Sequence, residues 1–249
     1  MTGNHLPDSL AEADCEMLSS RMEAVPLALD ASIYEPNEPI THVYFPTGGV
    51  ISMVSSMENG TVEVGTVGRE GMAGLPILLH AESMPTRAFV QVEGAARRIT
   101  TQRFREALHE SATFSRLLHR YAQALFDQVA QSVACNRLHT LEERCARWLL
   151  MTHDRVGADR LPLRQRFLAE MLGVHRPAVT LAAGALQRAG VIRYRRGIIE
   201  VLDRIALENA ACECYRIARD AFKRLRGSGA SSPSRQMHGS PDRGVALGT

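Results

Sequence analysis

Residues 33–100 contain short runs in which apolar and polar positions alternate, and turn-forming residues separate these runs. The two-residue period is typical of β-strands that bury one face. Asn59-Gly60 predicts a tight hairpin, and segments 46–49 and 93–94 predict further turns. Many short strands at this spacing predict an antiparallel β-roll of the jelly-roll kind.

After Thr100 the period of apolar positions becomes helical, which predicts a short helix at 102–109 and a long one at 113–136. Apolar residues in the long helix recur at alternating four- and three-residue steps, the a/d spacing of a helix that pairs with another helix. We therefore predict a dimerisation helix, although packing on the chain's own β-roll is the alternative. The predicted seam consists of Phe114, Leu118, Tyr121 and Leu125, followed by small and polar residues.

The segment 161–202 has the pattern of a winged helix-turn-helix. A short amphipathic helix at 163–172 stops at Gly173, and a second helix starts at Arg176-Pro177, where proline suits the first turn. The small residue Ala169 allows the two helices to cross closely. Two short strands with an arginine-rich turn follow and predict the wing.

The chain is therefore predicted to be an α+β protein with an N-terminal β-roll and a C-terminal winged helix-turn-helix. The predicted parts are a flexible N-terminus (1–20), a sensor-like domain (21–112), the dimerisation helix (113–136), a DNA-binding domain (137–226) and a disordered tail (227–249).

The distribution of charge supports a nucleic-acid-binding module. Residues 1–132 carry 9 arginines against 16 acidic residues, a formal charge of −7, whereas residues 133–226 carry 18 basic against 10 acidic residues, a charge of +8. Only Lys223 among the 29 basic residues is a lysine. Arginine suits phosphates and guanine edges, although its dominance throughout the chain is equally compatible with a bias in genome composition.

In a winged helix-turn-helix the second helix enters the major groove, and its first residues meet base edges. Arg176 is the candidate for a bidentate pair with guanine, and Thr180 lies one turn further along the same helix. The remaining candidates suit the phosphate backbone, which positions a protein without reading sequence. The full set of predicted DNA contacts is Arg164, Gln165, His175, Arg176, Pro177, Thr180, Arg193, Arg195 and Arg196.

In the order of its parts and in the run Leu168-Ala169-Glu170-Met171-Leu172-Gly173-Val174, the chain resembles the Crp/Fnr family of bacterial transcription regulators. The resemblance covers about residues 20–225. It implies a homodimer on a pseudo-palindromic site in double-stranded DNA, with RNA polymerase as a further partner. Pro177 stands where many members carry glutamate, so their target sequence is not expected here.

The sensor half departs from the cyclic-nucleotide-binding members of that family. Where they carry an acid for the ribose, this chain has Met72 in Gly71-Met72-Ala73-Gly74-Leu75, and a thioether is a weak acceptor. Arg87 is displaced by one place from the arginine that binds the cyclic phosphate in those members, although Glu70 and Arg87 could restore the acid and the arginine of that site if the loop shifts register. We therefore expect either no effector or an unidentified one, bound in a pocket near Glu70, Gly71, Met72 and Arg87. The alternative function is a cyclic-nucleotide-binding protein whose C-terminal module contacts another protein.

The five cysteines do not suggest a disulfide framework. Cys135 and His139 have an i,i+4 spacing that can hold zinc, whereas Cys212 and Cys214 would diverge on a helix, so buried thiols are favoured over metal or redox sensing. Only Cys15 lies in the N-terminal region, which argues against an iron–sulfur sensor of the Crp/Fnr kind. We expect no metal, no cofactor, no catalytic site, no membrane span and a cytoplasmic location.

Overall fold

The computed structural model describes residues 1–58 and 60–227. Asn59, predicted to form a hairpin turn, and residues 228–249 of the predicted tail lie outside the described residues. The helices are α1 (His5–Asp8), α2 (Glu12–Arg21), α3 (Leu75–Leu78), α4 (Thr101–Glu110), α5 (Ala112–Leu138), α6 (Leu141–Val156), α7 (Gln165–Leu172), α8 (Arg176–Arg188), α9 (Arg204–Ala210) and α10 (Cys214–Gly227). The strands are β1 (Glu23–Leu27), β2 (Ser32–Tyr34), β3 (His42–Met57), β4 (Gly60–Val67), β5 (Arg87–Thr100), β6 (Arg160–Leu161), β7 (Ile192–Arg195) and β8 (Ile198–Val201).

The N-terminal domain is an antiparallel β-roll in which the strand order is β1-β5-β3-β4, with β2 also paired to β5. β3 and β4 form the predicted hairpin, since Met57 pairs with Gly60. Phe45, Phe104 and Phe114 stack at centroid distances of 5.9–6.5 Å and join the sheet to α4 and α5. The predicted α+β class and the order of β-roll, long helix and winged helix-turn-helix are confirmed.

Two predicted turns are bends within continuous strands. β3 runs through 46–49 with register shifts on both sides of Gly48, and β5 runs through 93–94. A Cβ on Gly94 would lie 2.4 Å from the carbonyl carbon of Gly48, so the two strands approach each other where neither has a side chain. The glycines let both strands bend together without losing their pairing.

The N-terminal segment, predicted to be flexible at 1–20, contains α1 and most of α2 and packs on the β-roll. Leu6 and Leu18 are buried in the β-roll core, and Asn4 is fully buried. The Asn4 side-chain nitrogen donates to the carbonyls of Pro46 and Gly71, each at 2.8 Å. A few buried residues hold the segment in place. The sequence prediction missed them because the composition of the segment is polar on average.

The predicted dimer seam of α5 faces the inside of its own chain. Phe114, Leu118, Tyr121 and Leu125 are at most 5% exposed and belong to the β-roll core. The alternative given by the sequence, packing on the chain's own β-roll, is therefore the observed one for this face.

The C-terminal domain begins with α6, whose N-terminus is closed by a capping box between Thr140 and Glu143. Its core joins α6, α7, α8 and the sheet β6-β8-β7, and it includes Val54 and Phe89 of the β-roll. Two helices that the sequence did not predict, α9 and α10, are the last elements of the described residues. α10 returns along α5, and Phe222 packs beside Tyr121 with ring centroids 6.3 Å apart.

Across residues 1–58 and 60–227, no helix combines the length and the apolar character that crossing a bilayer requires.

Candidate nucleic-acid interface

The turn between α7 and α8 has the geometry that the sequence predicted. Gly173 adopts a left-handed conformation with φ of 64°, and its N–H and that of Val174 donate to carbonyls in the last turn of α7. His175 is the N-cap residue of α8, and Pro177 lies in the first turn, where its missing N–H has no helical partner to lose. Val179 and Ala169 are buried beneath the turn, so the two helices hold a fixed crossing.

The first turns of α8 present their side chains outward. His175, Arg176, Pro177 and Thr180 are all exposed. Leu181, on the same surface, is 70% exposed although it is a large apolar residue. The exposed end of α8 is therefore available to a partner molecule.

Arg176 shares a basic groove with residues from α7 and the wing. The groove has a volume of about 430 Å³. Arg176 Nε donates to Gln165 Oε1 at 3.4 Å, and Thr180 Oγ1 lies 3.5 Å from the same oxygen. Three separate elements converge here, because the groove is lined by Arg164, Gln165, Arg166, Arg176, Tyr194, Arg196 and Gly197.

The wing is fixed to the helix-turn-helix by Tyr194. Its backbone N–H donates to Gln187 Oε1 at 2.7 Å, and its hydroxyl donates to the Leu163 carbonyl at 3.1 Å. Burial raises the pKa of the Tyr194 phenol, and the nearby Arg176 guanidinium partly opposes this change, so the hydroxyl remains a donor at neutral pH. Arg196 and Gly197 have φ of 51° and 77°, the conformation of a tight type I′ turn.

The wing arginines differ in their surroundings. Arg196 lines the groove, and Arg195 is exposed. Arg193 pairs with Glu200 on the neighbouring strand at 2.9 Å. Sequence reasoning had not included Arg166 and Tyr194, although Arg166 follows two predicted contacts directly.

The predicted effector residues do not form one pocket. Glu70 accepts from Arg155 Nε at 2.7 Å, at a site where both side chains are largely buried. Arg87 lies elsewhere, 3.5 Å from Glu35 and over the ring of Phe89. Glu70 and Arg87 line different cavities, so in this structure they do not reproduce the acid and arginine that hold the ribose and phosphate in cyclic-nucleotide-binding members.

Gly71 and Met72 are part of the packed interior. A Cβ on Gly71 would lie 2.5 Å from the Tyr121 hydroxyl oxygen, and that hydroxyl donates to the Met72 carbonyl at 2.9 Å. Met72 is 1% exposed. This loop is thus held against α5, and a ligand reaches neither residue without displacing Tyr121.

A β-roll, a long helix and a winged helix-turn-helix with an exposed basic recognition surface define a two-domain DNA-binding regulator. Sequence models of two domain families match the chain in this order, the cyclic nucleotide-binding domain over residues 25–111 and the Crp-like helix-turn-helix domain over residues 143–210. The chain belongs to the Crp/Fnr family of transcription regulators, as its sequence resemblance predicted.

Solved structures share this fold. FixK2 from Bradyrhizobium japonicum is 19% identical, with a TM-score of 0.66 over 77% of this chain and 98% of its own. A CRP-family transcriptional regulator from Thermus thermophilus is 20% identical, with a TM-score of 0.62 over 75% and 96%. The c-di-GMP-responsive global regulator CLP from Xanthomonas campestris is 12% identical, with a TM-score of 0.63 over 78% and 100%. No curated protein sequence matches this chain significantly. The similar structures named here are regulators rather than enzymes.

Proposed function

We propose that this protein is a homodimeric, sequence-specific transcription regulator that binds a pseudo-palindromic site in double-stranded DNA. The observation that carries the proposal is the basic groove, where α7, the tip of α8 and the wing place four arginines around the exposed start of a recognition helix. Duplex DNA carries closely spaced phosphates, and arginine forks bind phosphates and guanine edges.

The groove suggests a role for every predicted contact except Arg193, which pairs with Glu200 on the wing. Arg176 and Thr180 lie on the face of α8 that would enter the major groove, so they are the residues proposed to read bases. The backbone contacts are proposed to come from the start of α7, the N-cap of α8 and the wing tip. These are Arg164, Gln165, His175, Arg195 and Arg196, while Pro177 shapes the first turn of α8.

A second face of α5 supports the homodimer. Phe126 and Val133 are 67% and 68% exposed and lie seven residues apart, and Ala122 and Val129 complete an a/d spacing with them. This stripe is displaced by one residue, about 100° around the helix, from the predicted seam. We propose that the stripe of Ala122, Phe126, Val129 and Val133 is the dimer contact. Two copies joined there would present two recognition helices to two half-sites.

The effector site that we propose lies between the domains. A cavity of about 570 Å³ lies beside the contact between the β-roll and α7, and Arg87, Gln91 and Arg164 contribute to its lining. Gln91 is 2% exposed, and neither polar atom of its amide has a partner among the described residues. A small anionic ligand with hydrogen-bonding groups would satisfy these side chains and contact both domains, so it could change the position of α7.

The effector site can be tested by thermal unfolding against a panel of small anionic metabolites. A ligand that raises the melting temperature of the wild type, but not of Gln91→Leu, supports this cavity. Ligands that stabilise both proteins equally would place the effector elsewhere.

The function is tested by selecting bound fragments from random duplex DNA, with and without cyclic AMP and cyclic GMP. We expect a two-fold symmetric motif that is enriched without nucleotide. A motif that appears only with nucleotide would support DNA binding and contradict our interpretation of Met72.

The alternative is a cyclic-nucleotide-binding protein whose C-terminal module contacts another protein. It predicts no enriched motif and little change of bulk DNA affinity with salt. The proposed regulator predicts a steep fall of affinity with salt, because phosphate contacts release counterions.

A further inference from the structure

Four side chains with metal-binding atoms meet where the end of α5 approaches the start of α10. Cys135 lies in the last turn of α5 and His139 is the residue that caps it. Cys212 precedes α10, and Cys214 is its first residue. The three sulfurs and a ring nitrogen of His139 all lie within 4.8 Å of one another.

The sequence argument against this site assumed a helix through 212–214. The structure has an extended residue, Ala211, after α9, and the Tyr215 N–H donates to the Cys212 carbonyl in a turn. Cys212 is therefore outside the helix, and its side chain can point to the same place as that of Cys214.

Two of the distances between these atoms match those around one tetrahedral ion. Zinc binds sulfur at about 2.3 Å and imidazole nitrogen at about 2.0–2.1 Å, which requires about 3.8 Å between two sulfurs and about 3.5 Å between sulfur and nitrogen. The Cys135 and Cys212 sulfurs are 3.5 Å apart, and the Cys214 sulfur is 3.5 Å from His139 Nδ1. A disulfide would hold the two sulfurs at about 2.05 Å.

The residues around the cluster suit a metal site. His139 Nε2 lies 3.2 Å from Glu213 Oε2, so the carboxylate can orient the ring and leave Nδ1 free to bind. The side-chain amide of Gln131 donates to the Cys214 sulfur at 3.1 Å. Arg144 and Arg147 interact electrostatically with the cysteines, and the Nε atom of each is buried without a hydrogen-bond partner among the described residues. These cations would balance the negative charge of three thiolates.

Ordinary packing explains the cluster less well. Cys145 is buried in the apolar core of the C-terminal domain, as a structural thiol usually is. Cys135, Cys212 and Cys214 instead form a separate buried group outside both large cores.

We propose that Cys135, His139, Cys212 and Cys214 bind one zinc ion. All four ligands come from the protein, so the site is closed and structural rather than catalytic. The ion would fix the end of α5 to the start of α10, and its loss would free the C-terminal domain at that point.

The test begins with the full chain, purified under reducing conditions and analysed for metal content. We expect about one zinc per chain. Replacement by Co²⁺ should give the visible absorption of a tetrahedral, thiolate-bound ion. Cys214→Ser should abolish both signals, and Cys145→Ala, which also removes a buried thiol, should retain them.

A second variant avoids the risk that a ligand substitution unfolds the protein. Glu213 is 61% exposed, and Glu213→Gln should lower zinc affinity roughly 10- to 100-fold in competition with a chromophoric chelator. Glu93→Gln removes a distant exposed carboxylate and should leave the affinity unchanged.

Three results would overturn the proposal. The first is a reduced, folded protein that takes up no stoichiometric zinc or cobalt. Cys145→Ala could lose the metal as completely as Cys214→Ser. Finally, mass spectrometry could show that the metal-free protein purified without reductant has lost two hydrogens as a Cys135–Cys212 disulfide, and that zinc does not bind after reduction.

Discussion

Glu63 is a partly buried carboxyl group at the junction of the two domains. Its oxygens accept from Ser52 Oγ at 2.9 Å on β3 and from Trp148 Nε1 at 2.8 Å on α6. Burial raises the pKa of Glu63 from its ordinary value of 4.5 to about 7, and the two hydrogen bonds oppose this change. The folded protein therefore keeps the Glu63 proton up to near-neutral pH.

This raised pKa predicts a pH-dependent loss of stability. Between about pH 4.5 and 7 the folded state holds a proton that the unfolded state has released, so this group makes the free energy of unfolding fall as pH rises. Glu63→Gln keeps the shape and removes the charge. We expect it to be more stable than the wild type at pH 8, with a difference that shrinks towards pH 5, as measured by denaturant unfolding at both values.

Glu82→Gln is a suitable control because Glu82 is an exposed carboxylate paired with Arg105. It should follow the wild type at both pH values. Equal stability of Glu63→Gln and the wild type at pH 8 would contradict the assigned cost of burying the Glu63 charge.

Arg176 and Arg195 should differ in what they contribute to DNA binding. Arg176→Ala should weaken binding to the selected site by about 1–3 kcal/mol, roughly 5- to 150-fold, and should weaken non-specific binding less, because it removes a base contact. Arg195→Ala should weaken both equally and reduce the slope of log affinity against log salt by about 1. Titrations of labelled duplexes at several salt concentrations measure both effects.

Arg193→Ala is the matched control, since Arg193 is already paired with Glu200 on the wing. It should change affinity less than either of the other variants. An unchanged sequence preference in Arg176→Ala would mean that α8 does not read the bases through this residue.

At the scale of elements, the first residues of the chain act as a clamp on the β-roll. Asn4→Ala would leave the buried carbonyls of Pro46 and Gly71 without their donor. Each unsatisfied buried group costs about 1–3 kcal/mol, so we expect a loss of at least that size in the free energy of unfolding. Chemical denaturation measures it, with Asn209→Ala on the exposed face of α9 as the control. A loss no larger than that of Asn209→Ala would show that the segment is not anchored by Asn4.

The sequence predicted the elements whose patterns are local. The helix-turn-helix depends on Gly173, Pro177 and a helical period within twenty residues, so its bounds agree closely with the structure. The pattern did not decide which face of α5 packs on the β-roll. Leu125 and Phe126 are equally apolar neighbours, and only the position of the sheet decides which one is buried. The cysteine cluster joins residues more than 70 positions apart, and local spacing carries no information about such contacts.

At the scale of the whole molecule, the two domains share a core. Phe167 of α7 packs edge-on against Phe89 of the β-roll at 6.0 Å and against Trp148 of α6 at 6.3 Å. Ser52 of β3 also contacts Met171. The first helix of the DNA-binding motif is thus held by the β-roll, and anything that loosens this contact would change the position of the recognition helix.

In the proposed dimer, the exposed stripe of α5 sets the arrangement of the two chains. Phe126→Asp would place a charge in the proposed dimer contact, where a central aromatic residue typically contributes 2 kcal/mol or more. We expect dimer dissociation to become easier by at least about 30-fold, which sedimentation equilibrium can measure. Ile205→Asp makes the same change at a residue of α9 that is 75% exposed and should leave the dimer intact.

The same variant connects assembly to function. A monomer presents one recognition helix, so Phe126→Asp should protect one half-site at high concentration and lose the steep preference for the symmetric site. If Phe126→Asp remained as dimeric as the wild type while Ile205→Asp dissociated, the contact between chains would lie on another surface. Recognition of the symmetric site would then depend on that other surface. The remaining apolar face of α5 could not replace it, because that face packs on the β-roll of its own chain.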